Sequence, residues 1–353
     1  MKVITNGKSK IEFSNKAFIV SFIMSVLVVY IHANNLSYYG FLDSPNNIAY
    51  IIVNIIGSVF GEIAVPFFFM LSGYWFFRFD IFSRSVGEIL KGKMKKKVST
   101  VLIPYLLWNC FGMVFYMFVT RIPILSGMMN NGDIIEITIG NVLNGIFLHK
   151  YYFVFWYLQD LIVLVIATPI ILLILKNKYI AIIEIAIVSV FSYLDITFYI
   201  INSSSVLFFS IGAFLAVYNR DFFETRGEKG YLWVIVFGCI SVIRYFEIPI
   251  ITKICYFVSP IIMWKAMDFF LKEDLLKQKV SWFKKQSFFI YAVHVIPVTV
   301  VGHIFTWFGS GTLWAVVSYL VAPMITIIGI YILAIGLNRY TPKLYGIITG
   351  NRG

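Results

Sequence analysis

The sequence predicts an all-α polytopic membrane protein, built as a bundle of about ten transmembrane helices. Of the 353 residues, 60% are apolar or aromatic and only 13% are charged, whereas a soluble domain carries about 25% charged residues. The mean hydropathy of +0.85 agrees. The apolar segments are longer than the alternating strands of about 10 residues in an outer-membrane barrel, so helices are expected to cross the bilayer. This balance excludes soluble secreted, disulfide-stapled and nucleic-acid-binding proteins.

Apolar runs of spanning length, about 20 residues each, place the helices along the chain. The first run follows Lys2, Lys8, Lys10 and Lys16 and has no small-residue cleavage site at its end, which is typical of a signal anchor. The fifth and sixth runs are short and are separated by the polar stretch 202–205. The predicted spans are 17–36, 48–77, 98–120, 152–175, 179–194, 204–218, 231–246, 251–268, 287–307 and 312–337.

The distribution of basic residues orients these spans. With the N-terminus inside, 25 of the 29 lysines and arginines fall in inside segments, as the positive-inside rule requires. Both termini are therefore expected in the cytoplasm, and residues 1–353 are expected to form a single integral-membrane domain. The largest outside segment, 121–151, contains an apolar-periodic piece at 134–148 that predicts an interfacial helix. The four remaining basic residues are Arg121, Lys150, Arg244 and Lys253.

Four ionisable groups are predicted to lie at one depth inside the membrane. Each lies 15 or 16 positions from the cation at the inner end of its helix, which is about 22–24 Å at 1.5 Å per residue. Ionisable groups in hydrocarbon are costly and by default indicate a functional site facing the bundle interior. The four groups are His32, Glu62, Asp160 and Arg244.

These groups have a structural interpretation beside the functional one. In the structural interpretation, Arg244 pairs with Glu62 or Asp160, and the ion pair holds helices together without a part in any reaction. His32 differs, because a histidine takes up and returns a proton near physiological pH and a neighbouring carboxylate increases its basicity. We therefore predict a catalytic role for His32, with Glu62 as its orienting partner because of their matched depth.

Further polar groups lie within the predicted spans. His294 is nine positions beyond Lys285, which places it in the inner half of the membrane. His303, farther out, is interpreted as a packing histidine. Asn109 and Ser72 are hydrogen-bonding groups whose usual role is helix contact.

Five lysines directly before the third span form a cationic cluster on the predicted cytoplasmic face. Their ammonium groups can bind the phosphates of a nucleotide-like donor, or only anionic lipid headgroups. No Walker loop, GxGxxG or metal-ligand cluster occurs, and the three cysteines lack CxxC spacing. A metal cofactor, ATP hydrolysis and dinucleotide redox chemistry are therefore not predicted. The lysines are Lys91, Lys93, Lys95, Lys96 and Lys97.

Five motifs occur in order along the chain: 27–33 (LVVYIHA), 64–74 (AVPFFFMLSGY), 97–108 (KVSTVLIPYLLW), 155–164 (FWYLQDLIVL) and 287–294 (SFFIYAVH). In this order they resemble acyltransferase family 3, the integral-membrane O-acyltransferases that modify bacterial surface polysaccharides. The resemblance runs nearly end to end. It departs at Thr100, where the family has the second basic residue of an Arg-x-x-Arg pair that Lys97 begins, and at Ser21, where a basic residue often stands.

The resemblance implies that an acyl group, usually acetyl from cytoplasmic acetyl-CoA, is moved to a hydroxyl of a glycan at the outer face of the bacterial cytoplasmic membrane. It implies that His32 is the essential first-helix histidine. Because of the departures at Thr100 and Ser21, the donor contacts are expected to be spread over Lys93, Lys96 and Lys97. The implied partners are acyl-CoA, the glycan and the bilayer, with no nucleic acid and no metal.

These residues can supply the groups that acyl transfer to an alcohol requires. A neutral imidazole at His32 can remove the hydroxyl proton, or can itself accept the acyl group. The tetrahedral oxyanion needs donors, for which Arg244, Asn109 and Trp156 are candidates, and a donor channel past Ser72 and the Gly73 backbone is expected. The predicted catalytic residues are His32 and Glu62, and the predicted substrate-binding residues are Lys93, Lys96, Lys97, Ser72, Gly73, Asn109, Trp156, Asp160, Arg244 and His294.

Two other functions compete with this one. A transporter or flippase for a lipid-linked or exported polysaccharide would use the polar layer as a midplane binding site, but no inverted repeat is visible. A membrane glycan polymerase is expected to have a large outside loop rich in arginine. Here that loop holds only Arg121 and Lys150, which weakens this alternative.

Overall fold

The computed structural model is almost entirely helical and describes residues 7–122, 136, 138–149, 151–198, 200–227, 229–248, 250–271 and 281–351. The N-terminal half contains α1 (Gly7–His32), α2 (Leu36–Tyr39), α3 (Ile48–Val53), α4 (Ala64–Phe77), α5 (Val86–Lys97), α6 (Ile103–Val119), α7 (Ile139–Phe147) and α8 (Trp156–Leu175). The C-terminal half contains α9 (Lys178–Tyr193), β1 (Thr197–Phe198), β2 (Ile201–Asn202), α10 (Ser203–Tyr218), α11 (Arg220–Glu224), α12 (Gly230–Tyr245), α13 (Ile251–Phe270), α14 (Ser281–Val293), α15 (Val295–Thr306), α16 (Thr312–Tyr340) and α17 (Pro342–Ile348).

Five helical stretches in the described part of the chain are long and apolar enough to cross a membrane. A sixth span results if α14 and α15, which meet at a bend of 60°, cross together. The helices α10 and α12 are apolar but shorter. These data establish a multi-pass helical membrane protein, while the count of ten spans and the cytoplasmic termini stay predictions. The five stretches are Glu12–Tyr39, Ile48–Phe77, Val86–Val119, Phe153–Leu175 and Thr312–Tyr340.

Two of these stretches contain irregular turns. A π-helical segment, Asn54–Phe60, and a 3-10 turn, Gly61–Ile63, lie between α3 and α4. A second π-helical segment, Val98–Leu102, joins α5 to α6. Such segments inside helices are frequent at functional sites. The sequence pattern, which predicts continuous helices here, gave no sign of them.

The polar stretch 202–205 between the fifth and sixth predicted spans joins a short hairpin to the start of a helix. A two-residue antiparallel hairpin, β1–β2, makes the connection, and the serines belong to the first turn of α10. Serines suit this place because their hydroxyls compete with backbone bonds inside helices but are tolerated at helix ends. Downstream of Arg121, the described part of the predicted interfacial helix is α7, on which Ile139, Leu143 and Phe147 are exposed. Lys2, Lys150 and residues 134, 135 and 137 lie outside the described residues.

The helices form two compact units, each assembled from three separate stretches of chain. Unit 1 comprises Met1–Met24, Val59–Lys95 and Val163–Ser287. Unit 2 comprises Ser25–Ser58, Lys96–Ile162 and Phe288–Gly353. No single cut of the chain separates them, and the prediction of one integral-membrane domain over 1–353 stays a prediction.

Unit 1 has an aromatic core that encloses an ion pair. The rings of Phe223 and Trp264 stack with their centroids 4.8 Å apart, and Phe13 packs against Trp264 at 5.6 Å. The Lys16 ammonium lies 3.9 Å from the centroid of the Trp264 ring and 2.6 Å from the Asp268 carboxylate. Lys16 is therefore a core group of unit 1, and a buried charge of this kind is tolerated because its partner lies beside it.

A second ionic cluster ties α4 to α11. The guanidinium of Arg78 donates to the Glu224 carboxylate at 2.7 and 2.9 Å, and the Tyr74 hydroxyl donates at 2.5 Å. Burial raises the pKa of the Glu224 carboxyl, but these hydrogen bonds outweigh it and the pKa lies below its ordinary value. Glu224 is thus held as a carboxylate.

The end of α1 packs against α16 in unit 2. The rings of Tyr30 and Tyr319 meet edge to face at 5.6 Å, and the amide of Asn35, just after α1, donates to the Ala315 carbonyl oxygen at 2.9 Å. These two contacts fix the end of α1, where His32 lies. In the same unit the Trp108 indole of α6 donates to the Ile348 carbonyl oxygen of α17 at 2.9 Å.

Candidate active site

The rings of two histidines meet in unit 2. His32 is the last residue of α1, and His294 lies between α14 and α15 at the 60° bend. The ring centroids are 5.1 Å apart. His294 is fully buried, whereas His32 is partly exposed. The pair therefore offers one ring to a substrate and places a second ring behind it.

The hydrogen bonds of His294 define which of its nitrogens carries the proton. Its Nδ1 lies 2.8 Å from the Tyr291 carbonyl oxygen and 3.1 Å from the Ile290 carbonyl oxygen. Carbonyl oxygens only accept hydrogen bonds, so Nδ1 must donate. In the neutral ring the lone pair is then on Nε2, and this atom is buried with no hydrogen-bond partner among the described residues.

Aromatic side chains position the two histidines. The Phe153 ring packs edge to face on His32 at 5.3 Å. The Tyr152 hydroxyl donates to the Ala292 carbonyl oxygen at 2.7 Å, and the Tyr291 hydroxyl donates to the Val154 carbonyl oxygen at 2.5 Å. These bonds fasten the turn before α8 to the bend that carries His294. The sequence reasoning missed Tyr152 and Phe153, although they directly precede the 155–164 motif.

Three more predicted residues lie in unit 2. Asn109 is fully buried on α6, one turn beyond Tyr105. Trp156 opens α8 and is partly buried, and Asp160 is buried one turn later. The Tyr105 hydroxyl donates to the Phe147 carbonyl oxygen at 2.7 Å and so holds α7 against α6.

Glu62 and Arg244 are brought together in unit 1. The Arg244 guanidinium lies 3.1 Å from the Glu62 carboxylate and also donates to the Val59 carbonyl oxygen. Of the two pairings left open by the sequence, Arg244 therefore forms the one with Glu62. In unit 1 the carboxylate of Glu62 thus neutralises Arg244, and its predicted role as the orienting partner of His32 stays a prediction.

Gly73 packs directly against α10, and the donor channel expected past it stays a prediction. A Cβ atom added at Gly73 would lie 2.1 Å from the Phe209 carbonyl oxygen of α10. The space beside Gly73 is thus filled by a helix backbone, as in small-residue contacts between membrane helices. Ser72, the preceding residue, is partly buried on α4.

The lysines predicted to bind the donor differ in their surroundings. Lys93 donates to the carbonyl oxygens of Trp75 and Phe76 at 3.1 and 2.8 Å. These are terminal carbonyls of α4, which have no partner within their own helix and attract a cation. Lys96 is exposed and Lys97 is partly buried. Lys93 therefore stabilises the end of α4, while the Lys96 side chain is open to solvent.

Thr100, where the family has a basic residue, lies in a tightly packed turn. The Thr100 hydroxyl donates to the Lys96 carbonyl oxygen at 3.1 Å, and a Cβ added at Gly350 would lie 2.5 Å from the Thr100 carbonyl oxygen. The chain after α17 thus packs closely on this turn. In the described part of the chain, no three His, Cys, Asp or Glu side chains lie close enough together to hold a metal ion.

A family comparison identifies the type of protein that this site belongs to. The family model of acyltransferase family 3, described as an acyltransferase domain, matches residues 22–335 and so includes both histidines. The chain belongs to this acyltransferase family. This confirms the resemblance inferred from the five motifs. Searches of curated proteins and of solved structures find no match.

The position of His294 in the membrane stays a prediction. Counting 1.5 Å per residue places His294 about 14 Å and His32 about 24 Å from the inner surface. Because the two rings lie 5.1 Å apart, these two depths are not compatible with each other. Counting depth therefore did not predict the histidine pair of the acyltransferase.

Proposed function

We propose that this multi-pass membrane acyltransferase moves an acetyl group from cytoplasmic acetyl-CoA to a hydroxyl group of an exported glycan at the outer face of the bacterial cytoplasmic membrane. Acyl transfer itself follows from the family. The contact between His32 and His294 is the observation that carries the mechanism. The acetyl donor and the glycan acceptor are supported by the five motifs and by the basic residues on the predicted cytoplasmic face.

In the proposed reaction His32 acts on the acceptor hydroxyl. Its neutral imidazole removes the proton as the hydroxyl oxygen forms a bond to the thioester carbonyl carbon. The tetrahedral intermediate collapses with cleavage of the carbon–sulfur bond, and the proton passes from the imidazolium to the departing CoA thiolate. In the alternative order the neutral imidazole takes the acetyl group as the carbon–sulfur bond breaks and CoA leaves as a thiolate. The hydroxyl oxygen then attacks the carbonyl carbon of acetyl-histidine, the carbon–nitrogen bond breaks to restore the neutral imidazole, and the hydroxyl proton passes to the CoA thiolate.

His294 is proposed to support His32 in this reaction. Its Nδ1 is fixed as a donor to two carbonyl oxygens, so its neutral ring presents a buried unprotonated nitrogen. Such a nitrogen carries partial negative charge and stabilises an adjacent imidazolium, more strongly in a buried site than in water. The Phe153 ring packs edge to face on the His32 imidazole and helps to hold it in position.

The remaining groups are assigned from their surroundings. Lys96 and Lys97 are proposed to contact the phosphates of CoA, and Lys93 is proposed to act through α4, whose last carbonyls it binds. Asn109 and Trp156 are proposed as donors to the oxyanion, since the Arg244 guanidinium is already paired with Glu62. Asp160 is retained as a buried polar group of the acceptor site.

Mass spectrometry of surface glycans tests the proposed function directly. Cells with the gene, cells without it and cells with His32→Ala are compared. We expect the mass increment of one acetyl group to disappear in both the deletion and the variant. The matched control is His303→Gln, because His303 stacks on Tyr38 at 4.1 Å in the same unit and has no proposed part in the reaction.

Two outcomes would contradict the proposal. Normal acetylation in a His32→Ala strain with wild-type protein levels would make His32 structural. Intact acetylation together with loss of the whole glycan from the surface would instead indicate a transporter. Rapid-quench mass spectrometry of the purified protein with acetyl-CoA alone separates the two chemical orders, because only the second leaves an acetyl group on the peptide that contains His32.

A further inference from the structure

A polar cavity of about 410 Å³ opens within unit 1. It is enclosed by the end of α9, the β1–β2 hairpin, the first turn of α10, the end of α12 and the start of α13. Its size lies in the range of about 300–1,000 Å³ that is typical of small-molecule sites. The hairpin and the loop between α12 and α13 belong to segments that the charge distribution places outside the cytoplasm.

The charges around this cavity balance one another. Arg244 pairs with Glu62 at 3.1 Å, and Lys253 pairs with Asp195 at 2.6 Å. Two cations thus face two carboxylates. A phosphate or a nucleotide would meet no excess of positive charge here, so an anionic ligand is disfavoured.

The uncharged lining has the two surfaces that a sugar requires. Ser203, Ser204 and Thr252 present hydroxyl groups that both donate and accept hydrogen bonds. Tyr256 and Phe257 present aromatic rings on which the apolar carbon–hydrogen face of a pyranose can pack. The Arg244 guanidinium lies 5.5 Å from the centroid of the Tyr256 ring, which holds that ring in place.

We propose that this cavity binds one neutral sugar residue of the acceptor glycan, by hydrogen bonds to its hydroxyls and by packing on Tyr256 and Phe257. That the bound sugar belongs to the acceptor glycan rests on the proposed function. It adds a location for the glycan, in unit 1, and a preference for an uncharged sugar over a phosphorylated or carboxylated one.

Blocking the cavity with a bulky side chain provides the test. Ser204→Trp adds an indole at a part-exposed lining position without removing either ion pair. Its matched control is Ile200→Trp, since Ile200 is 50% exposed at the tip of the same hairpin and does not line the cavity. A second variant, Phe257→Leu, keeps an apolar side chain but removes the ring. All are made in a His32→Ala background so that no turnover occurs.

The probes are oligosaccharides released by mild acid from the surface glycans of the host cells, de-O-acetylated and separated into neutral and anionic fractions. Calorimetry on the full chain in lipid nanodiscs measures binding. We expect the neutral fraction to bind the His32→Ala protein and the Ile200→Trp control equally. Ser204→Trp should weaken binding by about tenfold or more, and Phe257→Leu by about fivefold, the worth of one aromatic contact.

The outcomes separate this proposal from the proposed function. Equal binding by Ser204→Trp and Ile200→Trp overturns the cavity assignment, whatever the acetylation result. Tighter binding of the anionic fraction overturns the neutral preference. If Ser204→Trp loses binding in calorimetry but the glycans of wild-type cells carry no acetyl group, the sugar site is retained and the acetyltransferase function is rejected. Thermal unfolding of each variant verifies that it is folded.

Discussion

A histidine can exchange a proton only if one of its nitrogens has a free lone pair, and His294 meets this condition through its position in the chain. At the bend between α14 and α15 the carbonyl oxygens of Ile290 and Tyr291 both face Nδ1. They keep the proton there and leave Nε2 unpaired among the described residues. An unpaired buried nitrogen destabilises a fold and so requires an explanation. The proposed support of His32 is that explanation.

Substitution of His294 tests this view at the scale of one residue. We expect His294→Phe to lower kcat about 100-fold with the KM for acetyl-CoA unchanged, because the loss of a proton-accepting nitrogen slows proton transfer by about that factor. Phenylalanine retains the ring and its packing. Steady-state kinetics with acetyl-CoA and a glycan acceptor provide the measurement.

The choice of phenylalanine makes the result decisive. A purely structural histidine would be replaced by this ring with little change in rate, so wild-type kcat in His294→Phe would contradict the positioning role. His294→Gln, which keeps a polar group at this position but has no imidazole, should have a kcat as low as that of His294→Phe. Retained acetylation in His303→Gln serves as the control for histidine loss elsewhere in unit 2.

At the scale of elements, the contact between α4 and α10 is set by two glycines. A Cβ at Gly73 would lie 2.1 Å from the Phe209 carbonyl oxygen, and a Cβ at Gly212 would lie 1.8 Å from the Met70 carbonyl oxygen. Both clashes are with backbone, which cannot move aside as a flexible side chain can. The helices therefore approach as closely as their main chains allow, and dispersion contacts replace the hydrophobic effect that lipid does not provide.

Alanine at either glycine should destabilise the protein. We expect Gly73→Ala and Gly212→Ala to lower the free energy of unfolding by about 1–3 kcal/mol, the typical effect of overpacking, and to lower the apparent Tm in detergent. Gly238→Ala on α12 is the control, because its added Cβ meets no atom within 4 Å and alanine favours a helix. An unchanged Tm in Gly73→Ala would show that α4 and α10 are not in close contact.

At the scale of the whole molecule, the distribution of charge and hydropathy predicts how the chain is oriented across the membrane. The clustering of 25 of the 29 basic residues in alternate loops is the physical basis for the predicted topology, because the positive-inside rule acts on short loops near the ends of spans. The proposed function depends on this orientation. Its proposed donor is made in the cytoplasm and its proposed acceptor lies outside, so the protein must be accessible from both compartments.

Reporter fusions test the orientation. We expect a green fluorescent protein fused after Gly353 to fluoresce, since it folds in the cytoplasm, and alkaline phosphatase inserted at Ile200 to be active, since it requires the outside. The reverse pattern, an inactive phosphatase at Ile200, would put the β1–β2 hairpin inside. It would also place the sugar cavity on the cytoplasmic side. Phosphatase inserted after Lys91 should be inactive.

Sequence by itself determined those properties that depend on composition and local order. The low charge content determined the helical membrane class, and the five motifs determined the acyltransferase family. Neither property requires knowledge of tertiary contacts. A segment that crosses lipid must be apolar and helical along its own length, and a motif consists of neighbouring residues. The sequence also predicted the pairing of Arg244 with Glu62 as one of two choices, and the catalytic role of His32 stays a prediction.

Only the tertiary structure decided which of these groups meet. Counting residues estimates depth, but depth does not specify which helix face a side chain occupies or where a helix bends. His294, at the bend between α14 and α15, meets His32, Glu62 meets Arg244, and the backbone of α10 fills the space beside Gly73. The physical reason is that side-chain contacts depend on helix rotation and packing, which are set by residues far apart in the chain.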